Sequence, residues 1–378
     1  MRSPLVYLLG AAVLAVTFAA SALGFPPVPH GLFFPRLRCA TFSPDGKLLL
    51  VGYQGRGLDK EPLLRLWDVA TGKEVRSFTG LKQDVVYVEF LPDGKHALIR
   101  DRSDSFSLWD VSTGKEVRRI KTPESPVAGL ALSADGKRLL AWAMLAADGK
   151  KAECRLGLWD VTNGELLKIY EKVRIPTDRG GFHLALSPDS KLAYHSMVGL
   201  LDLTTGKVIR ALPKTNDLFM YGPGAFSPDS KLLVFDRRDS GPAQKEPDNR
   251  YYLELWDVTK AKEVHKFPKR PPFKEELLPP QKASGYARHI RFTPDGQQIL
   301  TVDSDSALRL WDVAAGKELW SLGDIRWDVP PAVAFVKHGT EILLGEDGRI
   351  LGQDTVYFQY RRLRDGKPLR EIKPGAKP

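Results

Sequence analysis

The chain has 378 residues, with 43% apolar and 27% charged side chains and a net charge of +10. Those fractions exclude a disordered chain, and the length is ample for a large buried core. The positive surplus alone would point to nucleic acid, but the N-terminus argues against that partner.

Arg2 leads into an apolar run from Leu5 to Ala22 that closes on Ala20-Ser21-Ala22. A basic start, an apolar middle and a small-residue end read as a secretory signal over residues 1–22. The run approaches the ~20 residues that cross a bilayer, so an uncleaved anchor is the alternative. Either reading places the body outside the cytoplasm, periplasmic or secreted, with membrane contact only through that anchor and no nucleic acid. Residues 23–36 form a linker and residues 374–378 a short tail.

From Leu37 to Lys373 the sequence repeats. Leu66-Trp67-Asp68-Val69 returns at Trp109-Asp110, Trp159-Asp160, Trp256-Asp257 and Trp311-Asp312. These tryptophans and aspartates are the expected structural residues. Each copy follows a Ser-Pro-Asp-Gly-like turn and precedes a Thr-Gly-Lys-like turn, as in Ser43-Pro44-Asp45-Gly46 and Thr71-Gly72-Lys73. Unit four carries Leu201-Asp202-Leu203 in place of Trp-Asp-Val. Unit seven replaces the first turn with Val336-Lys337-His338-Gly339 and the Trp-Asp core with Arg361-Arg362-Leu363. Proline sets the first corner of such a turn, aspartate bonds back to the backbone and glycine takes the left-handed corner. Units four and five put Ser190 and Ser230 in that corner, at a cost of about 1 kcal/mol each, and Ala261 takes the glycine slot of a later turn in unit five.

Four short strands per unit, with bulky residues on both faces of runs such as Leu64-Arg65-Leu66-Trp67, fit sheets covered on both sides. The spacing of the turns leaves no room for helices. The expectation is an all-β, seven-bladed β-propeller of four-stranded antiparallel blades over residues 37–373.

The turn, strand, Trp-Asp and second turn together resemble the WD-repeat propeller family, here an exported bacterial-type member, over nearly the whole mature chain. The resemblance implies a ring of four-stranded blades. One departure stands out. The family often has a Gly-His pair whose histidine joins a buried network with the tryptophan, and this sequence has no Gly-His dipeptide. Lys367-Pro368-Leu369-Arg370-Glu371-Ile372 can supply the last outer strand itself, so the ring is expected to close by blade-face packing. The alternative is an edge strand from Gly31 to Arg36.

In an up-down-up-down blade, the first and third turns share one face. The second turn and the link to the next blade share the other. Long segments from Tyr53 to Pro62, Ala146 to Glu153, Arg237 to Arg250, Phe267 to Arg288 and Gly323 to Pro331 all fall on the second face. Insertions gathered on one face mark a binding side. Arginine and aromatic groups dominate interface hot spots, and the candidates there are Arg56, Arg237, Arg238, Arg250, Tyr251, Arg270, Phe273, Tyr286, Arg288 and Trp327.

No nucleophile elbow, phosphate loop or zinc spacing occurs. The seven histidines read as surface or strand residues, and Asp303-Ser304-Asp305 as a turn rather than a calcium loop. Cys39 and Cys154 lie in non-adjacent units and read as small core residues rather than a disulfide. No catalytic residue, metal or cofactor is assigned. The expected function is a monomeric, non-catalytic scaffold that binds other proteins or an anionic envelope polymer. The alternative is an exported hydrolase- or lactonase-like propeller enzyme with its site at the channel mouth.

Overall fold

The first turn of each repeat is held by more than its proline and glycine. Ser43 Oγ donates to Asp45 (2.7 Å) and accepts from the Leu48 N–H (2.9 Å), and Asp45 accepts from the Lys47 N–H (3.1 Å). Ser133, Ser187, Ser227 and Thr293 repeat the arrangement with Asp135, Asp189, Asp229 and Asp295. The aspartate of each Trp-Asp pair secures the other turn. Asp68 accepts from the Thr71 N–H (2.8 Å) and hydroxyl (2.7 Å). Asp110, Asp202 and Asp257 do the same through Ser112 and Thr113, Thr204 and Thr205, and Thr259 and Lys260, and these bonds hold each carboxyl at about 2. Ser190, Ser230 and Ala261 adopt φ of 58°, 61° and 47°, the left-handed corner their positions demand.

A computed structural model describes residues 36–54, 63–81, 83–102, 105–120, 127–147, 151–176, 183–196, 198–211, 221–238, 251–268, 286–305, 307–323, 332–347 and 356–372. Their strands form seven four-stranded antiparallel sheets, each in sequence order from inner to outer strand. Blade 1 spans residues 36–78, blade 2 85–120, blade 3 127–176, blade 4 184–211, blade 5 221–266, blade 6 287–322 and blade 7 332–372. The result is the expected seven-bladed β-propeller. The segment from Ala146 to Glu153 differs from expectation. Strands Arg138–Ala147 and Lys151–Asp160 run through most of it, paired as far as Ala147 and Ala152, so blade 3 lengthens as sheet rather than as loop.

The core is divided into seven apolar clusters, and each cluster joins two neighbouring blades. Trp67, Trp109, Trp159, Trp256 and Trp311 each pack back onto the preceding blade. Where a repeat lacks this tryptophan, the preceding blade supplies one from another strand. At the blade 3/4 seam, Trp142 fills the space beside Leu201 and lies over His195, with ring centroids 4.0 Å apart. At the blade 6/7 seam, Trp320 packs against the cluster and donates its indole N–H to the Leu363 carbonyl (2.7 Å).

The missing Gly-His pair is replaced piecemeal. The indole N–H of Trp109 donates to Ser107 (2.8 Å), that of Trp256 to Glu254 (2.7 Å) and that of Trp311 to Thr301 (3.2 Å). Each donor is thus satisfied within its own blade.

Blade 7 contains its own outer strand, Pro368–Ile372, and blade 1 its own Lys73–Phe78. The seam between them is the cluster of Phe42, Trp67, Val336, Phe358 and Tyr360 with their neighbours. The ring therefore closes by blade-face packing, with residues 31–35 outside the described residues. Side chains on the outer strands clasp the next blade at several seams. Arg76 donates to the Thr113 carbonyl (3.2 Å), Arg118 to that of Asn163 (2.8 Å) and Lys168 to that of Thr204 (2.8 Å).

Candidate interaction face

The inner strands are Arg36–Phe42, Val85–Phe90, Val127–Leu132, Leu184–Leu186, Tyr221–Phe226, Ala287–Phe292 and Ala332–Val336. Each enters from the long-connection face and leaves through the first turn, so both ends of the propeller can be read from sequence position. One face consists of the tight, hydrogen-bonded turns. The other receives every connection between second and third strands and every link between blades.

On that second face the structure brings together two of the sequence candidates. Tyr251 opens the third strand of blade 5, and Tyr286 immediately precedes blade 6. Their ring centroids are 5.6 Å apart at 50°, and Tyr286 is 38% exposed. The Tyr286 carbonyl accepts from the Ser304 N–H (2.8 Å), which fixes its backbone. Aromatic pairs of this geometry present rigid contact area at low entropic cost.

Arg288 lies close by in sequence and occupies an extra, unpaired position in the inner strand of blade 6, between the pairs Ala287–Asp303 and His289–Val302. Arg38 sits in the equivalent irregularity of blade 1, between Leu37 and Cys39. Bulges of this kind re-aim a side chain, and here they place two arginines at equivalent positions near the long-connection ends of two inner strands.

Arg237 is placed differently. Its guanidinium donates to the buried Glu254 (2.5 Å), which also accepts from Trp256. That arginine is committed to blade 5. Arg238 pairs in register with Tyr251 at the strand end. Arg56, Arg250, Arg270, Phe273 and Trp327 lie outside the described residues.

The channel holds polar groups that the sequence candidates omitted. Thr41, Glu89, Ala131, Ala185, Ala225, Arg291 and Ala334 are equivalent positions of the seven inner strands. Alanine in four of them makes Glu89 and Arg291 conspicuous. Tyr87 donates to Glu89 on the same strand. Burial raises the Glu89 carboxyl above the usual range, and Arg291, from blade 6, pulls it down. Two residues nearer the long-connection face, His183 of blade 4 and His289 of blade 6 stand at one level. Burial holds His289 down to about 4, with Arg291, His183 and Arg288 acting in the same direction. Blades 2 and 6, like blades 4 and 6, are not neighbours, so these side chains influence one another across the axis. His289 and Arg291 keep solvent access on that side.

Other polar groups turn out to be structural. Asp303 and Asp305 both bind the guanidinium of the buried Arg309, with Nη2 2.7 Å from Asp305. Burial opposes the charge on Arg309, and its bonds to Asp305 and Asp303 outweigh that penalty. The calcium-like Asp303-Ser304-Asp305 fragment is thus an arginine clamp. His96 lies 2.6 Å from Asp93, and His265 packs edge-on to Phe267 with centroids 5.0 Å apart. Burial drives the Cys39 thiol up to about 12, which leaves it inert. Among the described residues, no three His, Cys, Asp or Glu side chains are grouped to hold a metal ion, and no helix is long and apolar enough to cross a membrane.

Residues 281–312, most of them in blade 6, match the family model described as "WD domain, G-beta repeat". No curated protein matches the chain.

Proposed function

The chain is a WD-repeat β-propeller, and from that premise we propose that it acts as an exported, non-catalytic scaffold that binds other proteins through its long-connection face. Propellers of this family generally mediate protein–protein contacts. The observation that carries the proposal is the asymmetry of the two faces. The turn face is a closed set of hydrogen-bonded hairpins. The opposite face receives all the long connections, the Tyr251–Tyr286 pair and the bulge-borne Arg38 and Arg288. An aromatic pair flanked by arginine is the composition of an interface centre. Export is supported by Arg2, the apolar run over 5–22 and Ala20-Ser21-Ala22. The same cationic rim would serve an anionic envelope polymer.

The test is quantitative affinity capture with the purified chain and with Tyr251→Ser/Tyr286→Ser, alongside a turn-face control, Lys47→Ser/Lys231→Ser. Loss of about tenfold or more of specific partners in the tyrosine variant alone supports the scaffold. Equal capture by both variants rejects it.

A further inference from the structure

The axial channel is layered. At the long-connection mouth stand Arg38 and Arg288, each presented by a bulge. The next layer contains His183, His289 and Tyr87. One layer deeper, about 7 Å on at the rise of a strand, Arg291 faces Glu89. Among the described residues, Arg38, Arg288 and Arg291 have no hydrogen-bond or ion-pair partner, and neither do the ring nitrogens of His183 and His289. Glu89 is already engaged by Tyr87. His289 keeps solvent access, and partial burial together with Arg291, His183 and Arg288 keeps its ring neutral, so it can donate one hydrogen bond without adding charge.

Three arginines and two histidines from three blades thus occupy successive levels of one half of the channel, open to solvent and without a side-chain partner among the described residues. Three are guanidinium groups, whose fork matches the two oxygens of a carboxylate. Glu89 sits opposite the deepest of them and sets a floor, since an acid moving past Arg291 toward the turn face would meet like charge.

We propose that the long-connection half of the axial channel is a carboxylate-binding site, with Arg38, Arg288 and Arg291 supplying charge and His183 and His289 supplying hydrogen bonds. The carboxylate comes either from a small free acid or from an acidic side chain of a docked protein. The second source rests on the scaffold reading and the first does not.

The experiment is calorimetric titration of the full chain at constant ionic strength with two probes, succinate and an end-blocked hexaglutamate peptide. The histidine ring resonances are followed in parallel. Binding of either probe is expected, with the His183 and His289 signals moving and those of His96 and His265 unmoved. Arg291→Gln and Arg38→Gln/Arg288→Gln each weaken binding about tenfold or more, the loss of one bidentate charge-assisted contact. Lys231→Gln on the turn face leaves it unchanged, and Glu89→Gln tightens it. Melting curves of each variant verify the fold. Succinate alone binding assigns the free acid, and the peptide alone assigns the docked side chain.

Absence of binding by both probes overturns the site, as does wild-type affinity in Arg291→Gln. Succinate binding without partner capture keeps the site and removes the scaffold. Partner capture that depends on Tyr251 and Tyr286, without carboxylate binding, does the reverse.

Discussion

The blade 3/4 seam offers a sharp test of how the ring is built. Trp142 is 1% exposed, and it occupies the volume that Trp67, Trp109, Trp159, Trp256 and Trp311 fill from another strand at other seams. Truncating a buried tryptophan to alanine costs about 3–5 kcal/mol in lost burial and residual cavity. The position where a tryptophan is missing is Leu201, 3% exposed in the same cluster. Leu201→Trp alone adds bulk to a filled seam and costs about 1–3 kcal/mol. If one indole's volume is what the seam requires, the double variant Trp142→Ala/Leu201→Trp is more stable than Trp142→Ala alone. The two changes then couple by about 2 kcal/mol or more. Urea denaturation of the four proteins, followed by circular dichroism, gives the cycle. Additivity within about 0.5 kcal/mol would refute the compensation, as would a Trp142→Ala cost below about 1 kcal/mol.

Three more outcomes follow from particular residues. Burial and then the neighbouring His183 hold His195 at about 3, below its ordinary 6.5, so the unfolded chain takes up the proton first as pH falls. Stability from this group is complete above pH 6.5 and declines toward pH 3, by about 2 kcal/mol at pH 5. His195→Phe keeps the ring against Trp142 and flattens that part of the pH–stability curve; an unchanged slope would contradict the assignment. A Cβ on Gly157 would lie 2.2 Å from the Trp159 ring, so Gly157→Ala destabilises by about 1–3 kcal/mol, seen as a lower urea midpoint. Ala261 has φ of 47°, and Ala261→Gly raises stability by up to about 1 kcal/mol. Ser230→Gly gains less, because Ser230 Oγ accepts from the Asp189 N–H (3.2 Å) of the preceding blade.

The blade count, the order of strands and the roles of Asp68, Asp110 and their equivalents were legible because turns are local. Their residues lie within a few positions of one another, and φ preferences and side-chain reach decide them. The strained corners at Ser190, Ser230 and Ala261 were legible for the same reason. Trp142 and Trp320 were not, because the gap each fills belongs to the next blade and no local pattern marks it. Arg237 misled because its partner, Glu254, lies on the adjacent strand and is buried. The stretch from Ala146 to Glu153 misled because charged and small residues at a hairpin tip resemble a loop when pairing is unseen. Glu89, Arg291, His183 and His289 carry a signal that aligning the inner strands would have exposed, since alanine dominates the column that holds Glu89 and Arg291.

The most direct test of the account is a scan with one photo-crosslinking residue at a time on the full chain. Tyr286, Tyr251 and Arg288 sample the long-connection face. Lys47, Lys95 and Lys231 sample the turn face. Covalent partner adducts from the first set and none from the second are the expected result. Adducts in equal yield from both sets would contradict a propeller that binds through one side.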